Sequence, residues 1–128
     1  MIKQKGKNAK VRNATKVSKY GLNFRSKLEL YTYEAFLNAK IPVEYEPKHY
    51  TLLPKFEYNE EKIRPITYLP DFVGKNFIVE CKGLVTADFP LRFKLFKKYL
   101  KQHKSKSKVY LVRNHKQVDE MIAELQTK

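Results

Sequence analysis

Apolar residues recur along this chain with two spacings, one typical of helices and the other typical of strands. Between residues 26 and 39, Leu28, Tyr31 and Phe36 fall at the 3.6-residue spacing that lines one face of a helix. Residues with N-cap character open two later segments of the same kind. Helices are therefore predicted at residues 26–39, from Asp88 through about Lys101, and from Asn114 onward.

Stretches rich in Val, Ile, Tyr, Phe and Thr separate these helices and predict strands. The predicted strands are residues 43–53, 66–73, 77–82 and 108–112. Pro47 interrupts the first of them, which indicates an edge strand or two short strands. Gly74-Lys75-Asn76 supplies a hairpin turn, and residues 54–62 are a polar loop or hairpin tip. The resulting order, αβββαβα, predicts an α/β domain.

Charge is distributed unevenly over the 128 residues, which carry 27 Lys+Arg, 13 Asp+Glu and a formal net charge of +14. Residues 1–27 and 89–118 contain no acid, whereas residues 28–88 are net negative. Because basic residues that neutralise phosphates release condensed counterions, this charge favours a nucleic-acid partner. We predict a flexible basic arm at residues 1–20 and one domain at 21–128. The predicted DNA-binding residues are Lys3, Lys5, Lys7, Lys10, Arg12, Lys16, Lys19, Arg25, Lys94 and Lys98.

Several classes of protein are excluded by composition. No apolar run approaches the roughly 20 residues that a membrane span needs, and no apolar signal-peptide region follows the N-terminus. The one cysteine, Cys81, excludes an intrachain disulfide framework and a zinc site built from several cysteines. We therefore expect a cytoplasmic protein that binds no membrane.

Candidate chemistry lies at the end of the predicted hairpin. Side chains alternate along a strand, so Glu80 and Lys82 share the face opposite Cys81. Asp71, on the neighbouring strand, can face both of them. Two adjacent carboxylates repel each other unless a hard cation lies between them, and Mg²⁺ prefers oxygen ligands. A lysine beside such a cation can position or deprotonate an attacking water.

These residues resemble a known signature. Pro70-Asp71, followed after eight residues by Glu80-Cys81-Lys82, resembles the PD-(D/E)XK motif of restriction-endonuclease-like nucleases. The chain also resembles the phage endonuclease I type of Holliday-junction resolvase, in the segments Phe24–Glu29, Tyr68–Phe72 and Glu80–Leu84. Residues 64–96 are similar to a little-characterised phage and prophage family of the same superfamily. Together the resemblances cover residues 24 to about 100.

The resemblance implies a restriction-endonuclease-like αβββαβ core, with a mixed sheet flanked by helices, to which this chain adds a C-terminal helix and the basic arm. It implies that Glu29, Asp71 and Glu80 hold Mg²⁺, with Mn²⁺ able to substitute, and that Lys82 is the catalytic lysine. Glu29 would join Asp71, Glu80 and Lys82 as a catalytic residue. The implied activity is a Mg²⁺-dependent DNA endonuclease of branched substrates such as Holliday junctions, which leaves 5′-phosphate and 3′-hydroxyl ends. Cutting two opposed strands implies a homodimer.

Alternatives remain open for these residues and for the function. Ser26 to Glu29 also matches a capping box, in which Glu29 bonds back to the Ser26 N–H. Asp71 alone would suit a turn, and Glu80 with Lys82 would suit an exposed cross-strand ion pair. The other functional readings are a nuclease of duplex or single-stranded DNA in replication, recombination or defence, and a non-catalytic nucleic-acid-binding protein.

Overall fold

A computed structural model describes residues 15–127. Its helices are α1 (Lys27–Ala39), α2 (Phe89–Gln102) and α3 (His115–Gln126). Its strands are β1 (Val17–Lys19), β2 (Leu22–Phe24), β3 (Glu44–Tyr45), β4 (Tyr50–Leu53), β5 (Phe56–Tyr58), β6 (Glu61–Ile63), β7 (Ile66–Tyr68), β8 (Phe72–Gly74), β9 (Phe77–Cys81) and β10 (Lys108–Val112).

The largest sheet of the described residues has four strands in the order β10-β9-β8-β3. β10 runs parallel to β9, whereas β8 is antiparallel to both β9 and β3. The predicted β8–β9 hairpin is confirmed, with Gly74 opposite Phe77. The structure therefore confirms an α/β protein with a mixed sheet and three helices.

Both faces of β9 are buried, because helices cover the sheet on each side. Val79 and Cys81 pack in one cluster with Phe36 of α1 and Met121 of α3. Ile78, on the opposite face, packs in a second cluster with the α2 residues Phe89, Phe93, Phe96 and Leu100. Burying a side chain of this size stabilises the fold by about 1.5–3 kcal/mol. The predicted alternation along β9 is confirmed, and α2 buries the face that carries Glu80.

The structure divides one predicted strand and confirms the hairpin-tip alternative for the segment before it. Residues 66–73 form two strands, β7 and β8, which belong to different sheets because Pro70 has no N–H to continue a ladder. Residues 54–62, predicted as a loop or hairpin tip, contribute to the β5–β6 hairpin, whose turn residues Asn59 and Glu60 have φ of 51° and 69°. These positive φ values at both central residues are typical of a type I′ turn.

The N-terminal boundary also differs. Residues 17–24 form the antiparallel β1–β2 hairpin, which contacts α1 and turns at Tyr20 and Gly21. Lys19 and Tyr20 both bond to Glu34 of α1, at 2.8 and 2.7 Å. The prediction of a flexible arm is therefore wrong for residues 17–20, because these contacts attach them to the domain. The arm residues 1–14 lie outside the described part.

Helix starts follow the sequence signals at two of the three helices. Ser26 and Asn114 accept the backbone N–H of the third helical residue, as predicted for N-caps. Asp88 occupies the predicted position but makes no capping bond, since its own backbone is already helical and its carboxylate instead accepts from the Thr86 hydroxyl. Among residues 15–127, no helix has the length and apolar character needed to cross a membrane.

Candidate active site

Three elements bring the four sequence-predicted catalytic side chains to one cavity. Glu29 lies in the first turn of α1, Asp71 immediately precedes β8, and Glu80 and Lys82 lie in and just after β9. The register of β8 and β9, in which Phe72 faces Val79, sets Asp71 beside Glu80. All four side chains line a cavity of about 320 Å³.

The three carboxylates are buried in spite of their charge. Glu29, Asp71 and Glu80 are only 6%, 6% and 5% exposed. Burial raises the pKa of Glu29 and of Glu80, and burial together with the charge of Glu80 raises the pKa of Asp71 well above its usual range. The turn and surface ion-pair alternatives do not describe these residues, because both place the side chains in solvent.

One oxygen of each carboxylate is held by a protein donor. The Tyr45 hydroxyl donates to Oε1 of Glu29 at 2.5 Å, and the Tyr68 hydroxyl donates to Oε1 of Glu80. The backbone N–H of Cys81 donates to Oδ2 of Asp71 at 2.7 Å. These hydrogen bonds fix the orientation of each carboxylate through one of its two oxygens.

The other oxygens are directed differently. No donor among the described residues bonds to Oε2 of Glu29 or Oδ1 of Asp71, and no buried side-chain oxygen of that region is left without a partner. These two oxygens therefore retain contact with solvent. Oε2 of Glu80 forms an ion pair with Lys82, whose Nζ lies 3.5 Å away. Each of these carboxylates thus has one oxygen that accepts no hydrogen bond from a backbone N–H or a hydroxyl among the described residues.

Lys82 is held between a carboxylate and an aromatic ring. Its Nζ lies 4.6 Å from the centre of the Phe89 ring, at the start of α2, as well as close to Glu80. The ring attracts the ammonium through its quadrupole. α2 therefore helps to position the predicted catalytic lysine.

Glu29 combines capping with a place in the cavity. Its backbone N–H donates to Ser26 Oγ at 3.2 Å, which is half of a capping box. Its carboxylate accepts from the Arg25 N–H at 3.2 Å, one residue earlier than the capping-box prediction. The two interpretations of Glu29 are therefore compatible.

Sequence reasoning missed Glu46. One oxygen each of Glu29, Glu46 and Asp71 lie within 4.8 Å of one another, which is close enough to share a metal ion, whereas Glu80 is outside this group. Glu46 reaches the cavity because β3 pairs with β8, and its N–H donates to the Asp71 carbonyl at 2.8 Å. Its carboxylate accepts from Arg25 Nε at 2.7 Å. The local signal was a glutamate at the end of a strand, just before Pro47, but the pairing that makes it relevant is long-range.

The predicted DNA-binding residues have different surroundings. Lys94 and Lys98 are exposed on α2, and Lys16 is also exposed. Lys19 and Arg25 are exposed but form ion pairs with Glu34 and Glu46. The others, Lys3, Lys5, Lys7, Lys10 and Arg12, lie outside the described residues.

Comparison with known proteins gives a family but no relative with an assigned activity. No curated protein and no solved structure matches the chain. The model of the family described as protein of unknown function (DUF1064) matches residues 9–118. The chain belongs to that family.

Proposed function

We propose that this protein is a Mg²⁺-dependent DNA endonuclease with a restriction-endonuclease-like core. The observation that carries the proposal is the convergence of buried Glu29, Asp71 and Glu80, with Lys82, on one cavity. Burying three carboxylates is unfavourable without a cation, since each loses its hydration. The mixed sheet, with β9 between an antiparallel and a parallel neighbour, agrees with such a core.

The donor set suits a hard divalent cation. It consists only of carboxylate oxygens, which are ligands that Mg²⁺ and Mn²⁺ accept. No histidine lines the cavity, and burial raises the pKa of the Cys81 thiol that does, which disfavours the thiolate that zinc would need. The oxygens of Glu29 and Asp71 that lack a protein donor are the ones available to a metal. Glu29, Asp71 and Glu80 would hold the ion, and Glu46 would become available if it separates from Arg25.

Each side chain then has a defined task in phosphodiester hydrolysis. The bound cation would supply a Lewis acid and lower the pKa of a ligated water. Lys82 holds its ammonium beside Glu80, where it can orient the attacking water and balance negative charge at the phosphate. Tyr45 and Tyr68 each hold one carboxylate edge, so that the other edge stays directed at the cavity. The expected products carry 5′-phosphate and 3′-hydroxyl ends.

Branched DNA is the proposed substrate, Holliday junctions included, and a homodimer would cut the two opposed strands. The resemblance of Phe24–Glu29 and Tyr68–Phe72 to phage resolvases supports this substrate. The net charge of +14 supports a polyanionic partner.

A cleavage assay tests the proposal. End-labelled four-way junction, linear duplex and single strand are incubated with the full chain in Mg²⁺, in Mn²⁺ and in EDTA. Asp71→Asn removes the central carboxylate charge, and Glu120→Gln, an exposed change on α3, is the matched control. We expect paired, symmetric cuts in the junction from the wild type and the control, and none from Asp71→Asn.

Other outcomes separate the alternatives. Equal cutting of linear duplex or single strand would retain the nuclease and reject the resolvase. Binding of DNA without cutting in either metal would reject the catalytic proposal.

A further inference from the structure

The exposed side of α2 carries charge of one sign only. The helix contains Arg92 and four lysines, and it contains no acidic residue. α1 and α3, in contrast, each combine acidic and basic residues. A helix face that serves only solubility commonly mixes both signs, so α2 calls for a different explanation.

Four lysines, Lys94, Lys97, Lys98 and Lys101, form what we name the lysine face. All four are exposed, while Phe93 and Phe96 on the other side are buried. At 100° and 1.5 Å per residue, the four positions span an arc of about 100° and a length of about 10 Å. They therefore form one continuous basic strip.

No carboxylate neutralises this strip. None of the ion pairs among residues 15–127 involves a lysine of the face, and the Lys97 Nζ instead lies 4.6 Å from the centre of the Phe93 ring. Like charges three and four residues apart destabilise a helix. The face thus carries an electrostatic repulsion that a bound polyanion would remove.

Along the axis of α2, the lysine face starts just after the helix turn that lines the cavity. Phe89 and Arg92, in the first turn of α2, line the cavity, and Lys94 follows two residues later. Beyond the helix the exposed Lys104 and Lys106 continue the basic charge. At 100° per residue, Lys94 is turned by about 160° from Arg92, so DNA bound to the lysine face would run along the outer side of α2, opposite the residues that line the cavity.

We propose that the lysine face binds consecutive phosphates of a duplex DNA arm that leads away from the cavity, without reading its sequence. The choice of DNA as the polyanion rests on the proposed function. One strand of duplex DNA carries one phosphate per about 3.4 Å of axis, so a strip of about 10 Å meets about three consecutive phosphates of that strand. Phosphate contacts fix position and carry no base information.

Salt-dependent binding tests the inference. Fluorescence anisotropy follows the full chain binding to a labelled duplex in EDTA over a range of salt concentrations. The test variant changes Lys94, Lys97, Lys98 and Lys101 to Gln. The matched control removes the same charge from exposed lysines of other elements, namely Lys40, Lys55, Lys75 and Lys116. A third variant changes the lysine face to Arg, which keeps the charge, and thermal melting verifies that each variant is folded.

The slope of log K against log salt is negative, and each lost phosphate contact reduces its magnitude by about 0.9. We expect the Gln variant to reduce this magnitude by about 1.8 to 2.7, the control by less than about 1, and the Arg variant not at all. An equal decrease in the test and control variants would show that only net charge matters and would overturn the inference. Unchanged slopes in the Gln variant would overturn it as well.

The binding assay needs no divalent metal, so its outcome is independent of cleavage. Asp71→Asn should bind the duplex like the wild type. A wild-type protein that binds duplex through the lysine face but cleaves no DNA in Mg²⁺ or Mn²⁺ would reject the proposed function and leave this inference standing.

Discussion

The hydroxyl of Tyr68 donates a hydrogen bond to Oε1 of Glu80, and both residues are buried although they belong to strands of different sheets. Burial, followed by the charge of Glu80, raises the pKa of the Tyr68 phenol, so the hydroxyl keeps its proton and remains a donor at neutral pH. The same bond lowers the pKa of Glu80 against the effect of burial. A tyrosine outside the nuclease-like motif residues therefore helps to keep a motif carboxylate ionised.

Replacing Tyr68 by Phe should destabilise the protein, and more at pH 8 than at pH 5. A buried hydrogen bond to a charged group contributes about 1.5–3 kcal/mol, and the loss shrinks where Glu80 is protonated. Urea unfolding at the two pH values measures the difference. Tyr99→Phe is the control, because its ring also packs in the protein, against His103, but its hydroxyl forms no hydrogen bond with any residue from 15 to 127. Equal losses at both pH values would show that the effect is packing alone.

Replacing Asp71 by Asn should stabilise the metal-free protein at pH 8. The folded-state pKa of Asp71 is raised, so its contribution is favourable below the unfolded value of about 3.9 and is lost as the pH rises through the folded pKa. Asn can still accept the Cys81 N–H, so the change removes the buried charge and keeps the bond. We expect the free energy of unfolding of Asp71→Asn to exceed that of the wild type by about 0.5–2 kcal/mol at pH 8 and to differ little near pH 4. Thermal melting in EDTA provides the measurement, and a lower midpoint at pH 8 would contradict the prediction.

Mg²⁺ should stabilise the wild type but not Asp71→Asn. A ligand at 100 times its Kd raises the free energy of unfolding by about 2.7 kcal/mol when it binds only the folded state. Because the three carboxylates have raised pKa values, metal and protons compete for them, and the stabilisation should increase with pH. Melting curves over a Mg²⁺ series at pH 6 and pH 8 test this. Glu120→Gln should be stabilised by Mg²⁺ as much as the wild type is. If Mg²⁺ raised the melting midpoint of Asp71→Asn equally, the metal would have to bind at a site without Asp71.

Gly74 should not tolerate a side chain. A Cβ built there would lie 2.1 Å from the Phe77 ring, which crosses the glycine inside the β8–β9 hairpin. Gly74→Ala should lower the free energy of unfolding by about 1–3 kcal/mol, because the Phe77 ring must shift in a packed core. Gly83→Ala, where nothing lies within 4 Å, is the control and should stay within about 0.5 kcal/mol. Chemical unfolding of both variants gives the comparison, and similar midpoints would show that the ring moves freely.

Local patterns predicted the helices, the β8–β9 hairpin and the face of Glu80, because these depend on periodicity and on turn residues near in sequence. The approach of Asp71 to Glu80 followed from the same short-range geometry. Glu46 and Tyr45 were missed because β3 joins the sheet beside β8, some 28 residues later, and nothing near Pro47 specifies that partner. Tyr68 appeared only as a β-prone residue, since its bond to Glu80 depends on where β7, which pairs with β4 in a separate sheet, lies relative to β9.

The β5–β6 hairpin is exposed, whereas the side chains of the cavity are largely buried. Among the described elements it contacts no helix or strand other than its own partner, and none of its six strand residues is buried. Its length and sequence are therefore not constrained by the core, and insertions are best tolerated where such backbone is exposed. The turn at Asn59 and Glu60 is accordingly a suitable place for a fluorophore or a short affinity epitope, which would make the protein visible in single-molecule experiments while the cavity and α2 stay unaltered.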